Sequence, residues 1–276
     1  MRRLNFLMAL YFAAFCTACG GGGGDSEQSS NACGAIGLPT KIINGDSCTD
    51  IGRSPIVRVG ALVQRGQGVE LSLLCTGTMI APDTVLTAAH CFLGNDSRVS
   101  TGIIFGEQGS AEYVRATQVS LAPGFTLNGE VDRLFNDAAV MKLERAPGLP
   151  TLPLLASRSP AVGELGFVYG YGLRNVNDER GETGDFISLE AGTMTVETVT
   201  PDHLFVLFGG GGVNVCNGDS GGPLLVPVNG RLAIAGVVSQ GNVEGCAAGD
   251  FTTYTNLQSP AVRTWLDGVA PTRDQA

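Results

Sequence analysis

The sequence predicts an all-β protein, built as one large domain or two small ones. Three observations carry that expectation. Forty glycines and thirteen prolines among 276 residues supply a tight turn at short intervals. Short stretches rich in β-forming residues recur from Ile56 onward, with turn residues in each gap. No amphipathic helical pattern occurs before residues 259–269.

Taken in order, residues 58–64 alternate weakly, and 71–80 form an apolar run broken by Gly77. Residues 85–89 lead into His90, and 114–121, 138–143, 165–169, 192–198, 224–228 and 232–239 continue the series. The closing helix at 259–269 has Ser259 as its expected N-cap and Pro260 at its first position. Residues 175–184 are polar, charged and bounded by glycine, the composition of an exposed loop open to nicking. There is no internal repeat.

The apolar content of 43% is ample for a packed core, and the formal net charge is −9. An acidic balance argues against nucleic acid as a partner and otherwise speaks to solubility. Residues 1–19 have the proportions of a targeting segment. Arg2 and Arg3 form a basic start, and the apolar run that follows is too short to span a bilayer comfortably. It ends in Cys16-Thr17-Ala18-Cys19-Gly20, which resembles a bacterial lipoprotein signal with Cys19 as the lipidated first residue. An ordinary cleaved secretion signal is the alternative. The expected location is therefore outside the cytoplasm: an outer-membrane lipoprotein, or a secreted or periplasmic protein, touching membrane only through a lipid anchor. A glycine-rich tether follows, from residue 20 to about residue 32.

Six cysteines remain beyond the leader: Cys33, Cys48, Cys75, Cys91, Cys216 and Cys246. In an exported chain they form a disulfide framework whose pairing the sequence alone does not choose. No Cys-x-x-Cys pair occurs among these six, so zinc is not expected.

Two short segments carry the chemistry. One is Thr87-Ala88-Ala89-His90-Cys91, and the other is Gly218-Asp219-Ser220-Gly221-Gly222-Pro223. A serine hydroxyl is a poor nucleophile at neutral pH. It needs a base within hydrogen-bond reach, and the base needs an acid to orient it. The chain has only two histidines, and His203 sits in a polar context that suggests the surface. Asp137, in Asn136-Asp137-Ala138-Ala139-Val140, opens an apolar strand between His90 and Ser220, whereas its rival Asp132 lies among polar residues.

In these frames and in the order His, Asp, Ser, the chain resembles the chymotrypsin-type serine proteases from about residue 41 to residue 269. The resemblance implies two six-stranded antiparallel barrels, about 42–150 and 151–258, a C-terminal helix and an active site in the cleft between barrels. It implies Ser220 as nucleophile, His90 as base and Asp137 as orienting acid, with the amides of Gly218 and Ser220 as oxyanion hole. It implies disulfides Cys75–Cys91 and Cys216–Cys246, which leaves Cys33 and Cys48 to each other. Lys41-Ile42-Ile43-Asn44-Gly45 resembles the family's activation site, where cleavage after Lys41 frees the Ile42 amine to pair with Asp219. The glycines at 209–212 could give that region its freedom to order. A protease other than the chain itself is the implied activating partner, and polypeptides are the implied substrates.

The same resemblance places Asn214 and Thr252 in the primary specificity pocket, and Ser239-Gln240-Gly241 along the substrate backbone. An amide at Asn214 cannot neutralise a buried Arg or Lys, and a side chain at Thr252 narrows the pocket. Small or medium uncharged P1 residues are therefore expected. No cofactor is implied. Calcium is not expected, since residues 106–114 hold only Glu107 and Glu112 as acids. The competing readings are trypsin-like cleavage after Arg or Lys, a non-catalytic binding protein on the same fold, and an esterase. The chain order His, Asp, Ser counts against an α/β-hydrolase, whose order is Ser, acid, His.

Overall fold

In a computed structural model, the described residues are 32–38, 40–41, 46–94, 97–107, 109–130, 133–173, 188–207, 214–242, 246, 249–271 and 273–276. The leader with Cys19, residues 42–45 with Ile42, Asp132, the 175–184 segment and the glycines at 209–212 lie outside them.

The chain opens with a short helix α1 (Ala32–Ala35) and the strands β1 (Thr40–Lys41) and β2 (Asp46–Cys48). Strands β3 (Ile56–Arg65), β4 (Gly68–Ala81), β5 (Thr84–Thr87), β6 (Arg98–Phe105) and β7 (Glu112–Leu121) follow. A small pair, β8 (Thr126–Asn128) and β9 (Arg133–Phe135), precedes β10 (Ala139–Leu143). Then come β11 (Leu165–Gly170), β12 (Leu189–Val199), β13 (His203–Leu207), β14 (Pro223–Val228), β15 (Arg231–Gln240), β16 (Phe251–Asn256) and helix α2 (Pro260–Val269).

Two closed antiparallel barrels result. The first runs β10-β5-β4-β3-β6-β7. The second runs β12-β11-β14-β15-β16-β13 and closes through β13 against β12. Closure removes the free sheet edges that would otherwise invite aggregation. Strands β1 and β2 add to the second sheet, where Cys48 faces Leu189 and Ser47 faces Glu190.

Alternation along the strands explains where the cores sit. On β14, Leu224 and Val226 fill the second barrel, while Leu225 points the other way into a cluster shared with the first barrel. On β11, Val168 faces inward and Tyr169 faces that shared cluster. Successive side chains on a strand point to opposite faces, so a strand buried on both must be apolar throughout. That is why 224–228 and 232–239 stand out as continuous runs.

Strands β6, β13 and β16 escape such a search. Gly102 interrupts β6, β13 follows a polar turn, and half of β16 is buried threonine. Helix α2 buries Val262 and Leu266. Ser259 precedes it as expected, but its hydroxyl makes no capping bond; Pro260 at the first turn leaves one fewer amide to satisfy. At the other end, the Arg273 guanidinium donates to the carbonyls of Leu266 and Ala270, setting a positive charge at the C-terminal end of the helix.

Candidate active site

His90 begins a single helical turn directly after β5, and the Cys75–Cys91 disulfide ties that turn to β4. Its Nδ1 lies 2.7 Å from Oδ2 of Asp137, and its backbone amide donates to Oδ1 at 2.9 Å. Asp137 is fully buried, while the His90 side chain keeps 23% of its surface exposed. A carboxylate only accepts, so the proton sits on Nδ1 and Nε2 is left as the basic nitrogen.

Asp137 owes its aim to a left-handed residue. Asn136 has φ +51, a conformation Asn tolerates better than most side chains, and its Nδ2 donates to the Pro123 carbonyl. Two hydroxyls from the second barrel then hold the acid. Ser239 Oγ donates to Oδ2 at 2.6 Å, and Thr255 Oγ1 donates to the Asp137 carbonyl at 2.9 Å. Ser239, expected along the substrate backbone, thus also clasps the acid across the barrel interface.

Ser220 sits in the turn ahead of β14, and that turn is laced to the first barrel. The Thr76 amide donates to the Ser220 carbonyl at 2.8 Å, and Thr76 Oγ1 donates to the Gly218 carbonyl at 2.9 Å. Thr87 Oγ1 in turn donates to the Thr76 carbonyl at 2.7 Å. The turn needs positive φ at Gly218 (+98) and Gly221 (+83). A Cβ on Gly221 would stand 2.1 Å from Thr87 Oγ1 and 2.9 Å from the Ala88 amide. The Ser220 turn therefore abuts the segment that ends in His90. Thr87 lies inside the histidine motif, yet its hydroxyl's partner is set by strand pairing that a short motif does not reveal.

Asp219 is buried beneath the turn. Its Oδ1 accepts from the Gly172 amide at 2.7 Å and its Oδ2 from the Cys216 amide at 2.8 Å. Its carboxylate occupies the space a side chain would need at Gly170 or Gly172, where a Cβ would lie 1.9 Å and 2.5 Å from it. A cavity of about 30 Å³ adjoins, lined in part by Asp219, Glu190, Tyr169 and Asn214.

The expected specificity residues also come together. Asn214 Nδ2 donates to the Cys246 carbonyl and to Asp250 Oδ2, each at 3.1 Å, and Thr252 Oγ1 donates to Asn214 Oδ1 at 3.3 Å. Gln240 Oε1 accepts from the Leu134 amide at 2.8 Å. Sequence reasoning had no part for Asp250, whose carboxylate approaches Gly241.

His203 is not a surface residue. It is 3% exposed, its Nε2 donates to the Leu134 carbonyl at 2.7 Å, and its ring meets Phe135 edge-on at 4.7 Å. Burial lowers its pKa, against the smaller opposing effect of that hydrogen bond. It braces β9, three residues before Asp137, by joining β13. The polar residues beside it in sequence conceal this.

The disulfides are Cys33–Cys48, Cys75–Cys91 and Cys216–Cys246. Among the described residues, one grouping has metal-type ligands, Cys75, His90 and Cys91, and its two cysteines are joined to each other. Three disulfides suit an extracellular or secreted protein.

Comparison with known proteins gives the same picture. The trypsin family profile matches residues 42–266. A trypsin-like protease of Streptomyces glaucescens is 31% identical over 208 residues, covering 69% of this chain and 73% of that protein. Brachyurin of Leptuca pugilator is 30% identical over 195 residues, 66% of this chain and 82% of its own. Chymotrypsin-like elastase family member 1 of Bos taurus is 28% identical over 218 residues, 70% and 77% respectively. The chain belongs to the trypsin family of serine endopeptidases.

Proposed function

We propose that the protein is an endopeptidase made as a zymogen, with Ser220, His90 and Asp137 as its triad. The observation that carries this is the pairing of His90 Nδ1 with the fully buried Asp137, beside the turn that bears Ser220. Ser220 Oγ attacks the scissile carbonyl while His90 Nε2 takes its proton. Asp137 keeps the ring in the needed tautomer and stabilises the imidazolium that forms. The Gly218 and Ser220 amides receive the developing oxyanion. His90 then returns the proton to the leaving amine, and water releases the acyl group from Ser220.

Activation is assigned to cleavage after Lys41. Strand β1 pairs with β2, setting Lys41 opposite Ser47. The cut would free Ile42 to send its ammonium toward Asp219 and order the oxyanion turn. The small cavity beside Asp219 supports this reading. Ala32, Cys33 and Leu38 are buried, Tyr169 Oη donates to the Ala32 carbonyl at 2.6 Å, and Cys33 is bonded to Cys48 beyond the cut. The propeptide therefore stays on the cut enzyme, and a lipid on Cys19 would keep it at a membrane.

For the substrate, Asn214 at the pocket floor, with Val215 and Thr252 narrowing it, favours small or medium uncharged P1 residues. The test is treatment of the purified chain with trypsin. A new amino terminus at Ile42 should appear together with cleavage of peptides bearing Ala or Val at P1. On non-reducing gels no fragment should leave; reductant should release it. Full activity in the uncut chain, loss of the propeptide without reductant, or Arg and Lys as the best P1 residues would each overturn its part of the proposal.

A further inference from the structure

The segment that delivers Asp137 lies in neither barrel. Strand β9 pairs with β8 in a separate two-stranded sheet, and all three residues of β8 are exposed. A lone strand pair is marginally stable, so it fixes little by itself. Residues 133–135 are instead fastened to the second barrel one after another. The Arg133 guanidinium lies 4.7 Å from the centre of the Phe205 ring. The Leu134 amide donates to Gln240 Oε1 at 2.8 Å, and the Leu134 carbonyl accepts from His203 Nε2 at 2.7 Å. The Phe135 ring meets the His203 ring at 4.7 Å. Asp137 follows two residues later.

His203 is the centre of this clasp. Its own main chain is fixed on both sides: its amide donates to Thr200 Oγ1 at 2.9 Å, and its carbonyl accepts the Thr200 amide at 2.8 Å. Across the β13–β16 pair it stands opposite Thr255, whose hydroxyl holds the Asp137 carbonyl. Cross-strand neighbours thus hold the carbonyls of Leu134 and Asp137 in the same segment. A carbonyl only accepts, so the proton of a neutral His203 sits on Nε2. Burial and the Arg133 charge lower the pKa of the ring, against the opposing effects of the Leu134 bond, Asp202 and Asp137. The ring is therefore neutral at pH 7, with its one proton given to Leu134.

We infer that His203 is a positioning residue for catalysis: by holding the Leu134 carbonyl it fixes, from the second barrel, the aim of Asp137 at His90. This rests on the triad reading and extends it to a residue outside the triad. The aim matters because a shift of about 1 Å in a catalytic group can cost roughly a hundredfold in rate.

The experiment compares the activated full chain with two variants. His203→Phe keeps a ring but removes the donor, and His203→Gln keeps a side-chain amide that can donate where Nε2 stood. Rates are taken per active site titrated with a fluorophosphonate. In His203→Phe, kcat should fall by roughly 10–100-fold while KM changes by less than about threefold; His203→Gln should regain most of the loss. A merely structural His203 would lower thermal stability and the number of titratable sites but leave kcat per site within about twofold, which would overturn the inference. So would His203→Gln performing no better than His203→Phe. One measurement needs no variant to fold. The chain has two histidines, so nitrogen NMR of the unsubstituted protein with labelled histidine contains only two rings. One should carry its proton on Nε2, as His203, and the other on Nδ1, as His90. A His203 ring with its proton on Nδ1 alone could not donate to Leu134 and would overturn the inference. No turnover by the activated unsubstituted chain would overturn the triad reading, and this inference with it.

Discussion

Changing Asp137 to Asn should lower kcat by roughly 10⁴-fold while leaving the fold in place. The carboxylate receives three donors: the His90 amide at Oδ1, and both His90 Nδ1 and Ser239 Oγ at Oδ2. An amide has one accepting atom. If its oxygen stays with the His90 backbone, its NH₂ group faces His90 Nδ1, which must then give up its proton. The proton moves to Nε2, the nitrogen that should take one from Ser220. The base is lost without any group leaving its place. Steady-state kinetics with active-site titration measure this. Ser239→Ala gives the contrast, because it removes one hydrogen bond and leaves the tautomer alone. Its effect should stay within about tenfold, in line with about 1 kcal/mol for a single hydrogen bond. Asp137→Asn retaining activity within tenfold would remove Asp137 from the triad.

Asp219→Asn should separate cutting from activation. Trypsin should still cut after Lys41, since that site is distant in sequence, but kcat/KM of the product should be lower by roughly 10²–10³-fold, the scale of a lost oxyanion donor. The physical reason is charge. Asp219 is held by the Gly172 and Cys216 amides in a space where Gly170 and Gly172 admit no side chain. An arriving Ile42 ammonium would find a carboxylate there in the cut enzyme, and only an amide in the variant. Chemical acetylation of the new amino terminus gives an independent readout. Ile42 should be protected in the cut wild-type chain and reactive in the variant. Equal reactivity with equal activity would mean that Asp219 does not receive it.

What was legible from sequence follows from the distance over which each feature is encoded. His90, Asp137 and Ser220 each stand in a short frame, because each needs particular neighbours on its own loop. The two barrels came through resemblance, while spacing alone reached only an all-β chain. The supports were hidden. Thr76, Thr87 and Thr255 are ordinary strand residues until pairing sets their hydroxyls against the carbonyls of Gly218, Thr76 and Asp137. His203 looked exposed because Pro201 and Asp202 precede it, yet β13 lies between β12 and β16 and buries it. Asp250 escaped for a related reason. Its partners Asn214 and Asn242 reach it from two separate segments, and only the folded chain brings the three together.

The most direct measurement is labelling with an active-site fluorophosphonate, followed by mass-spectrometric mapping, before and after cleavage at Lys41. Label should appear on Ser220 only in the cut chain, and should fail to appear in a His90→Ala variant cut in the same way. Equal labelling of the uncut chain would contradict activation by the new amino terminus. No labelling in either state would contradict an active triad and leave a binding protein on a protease fold.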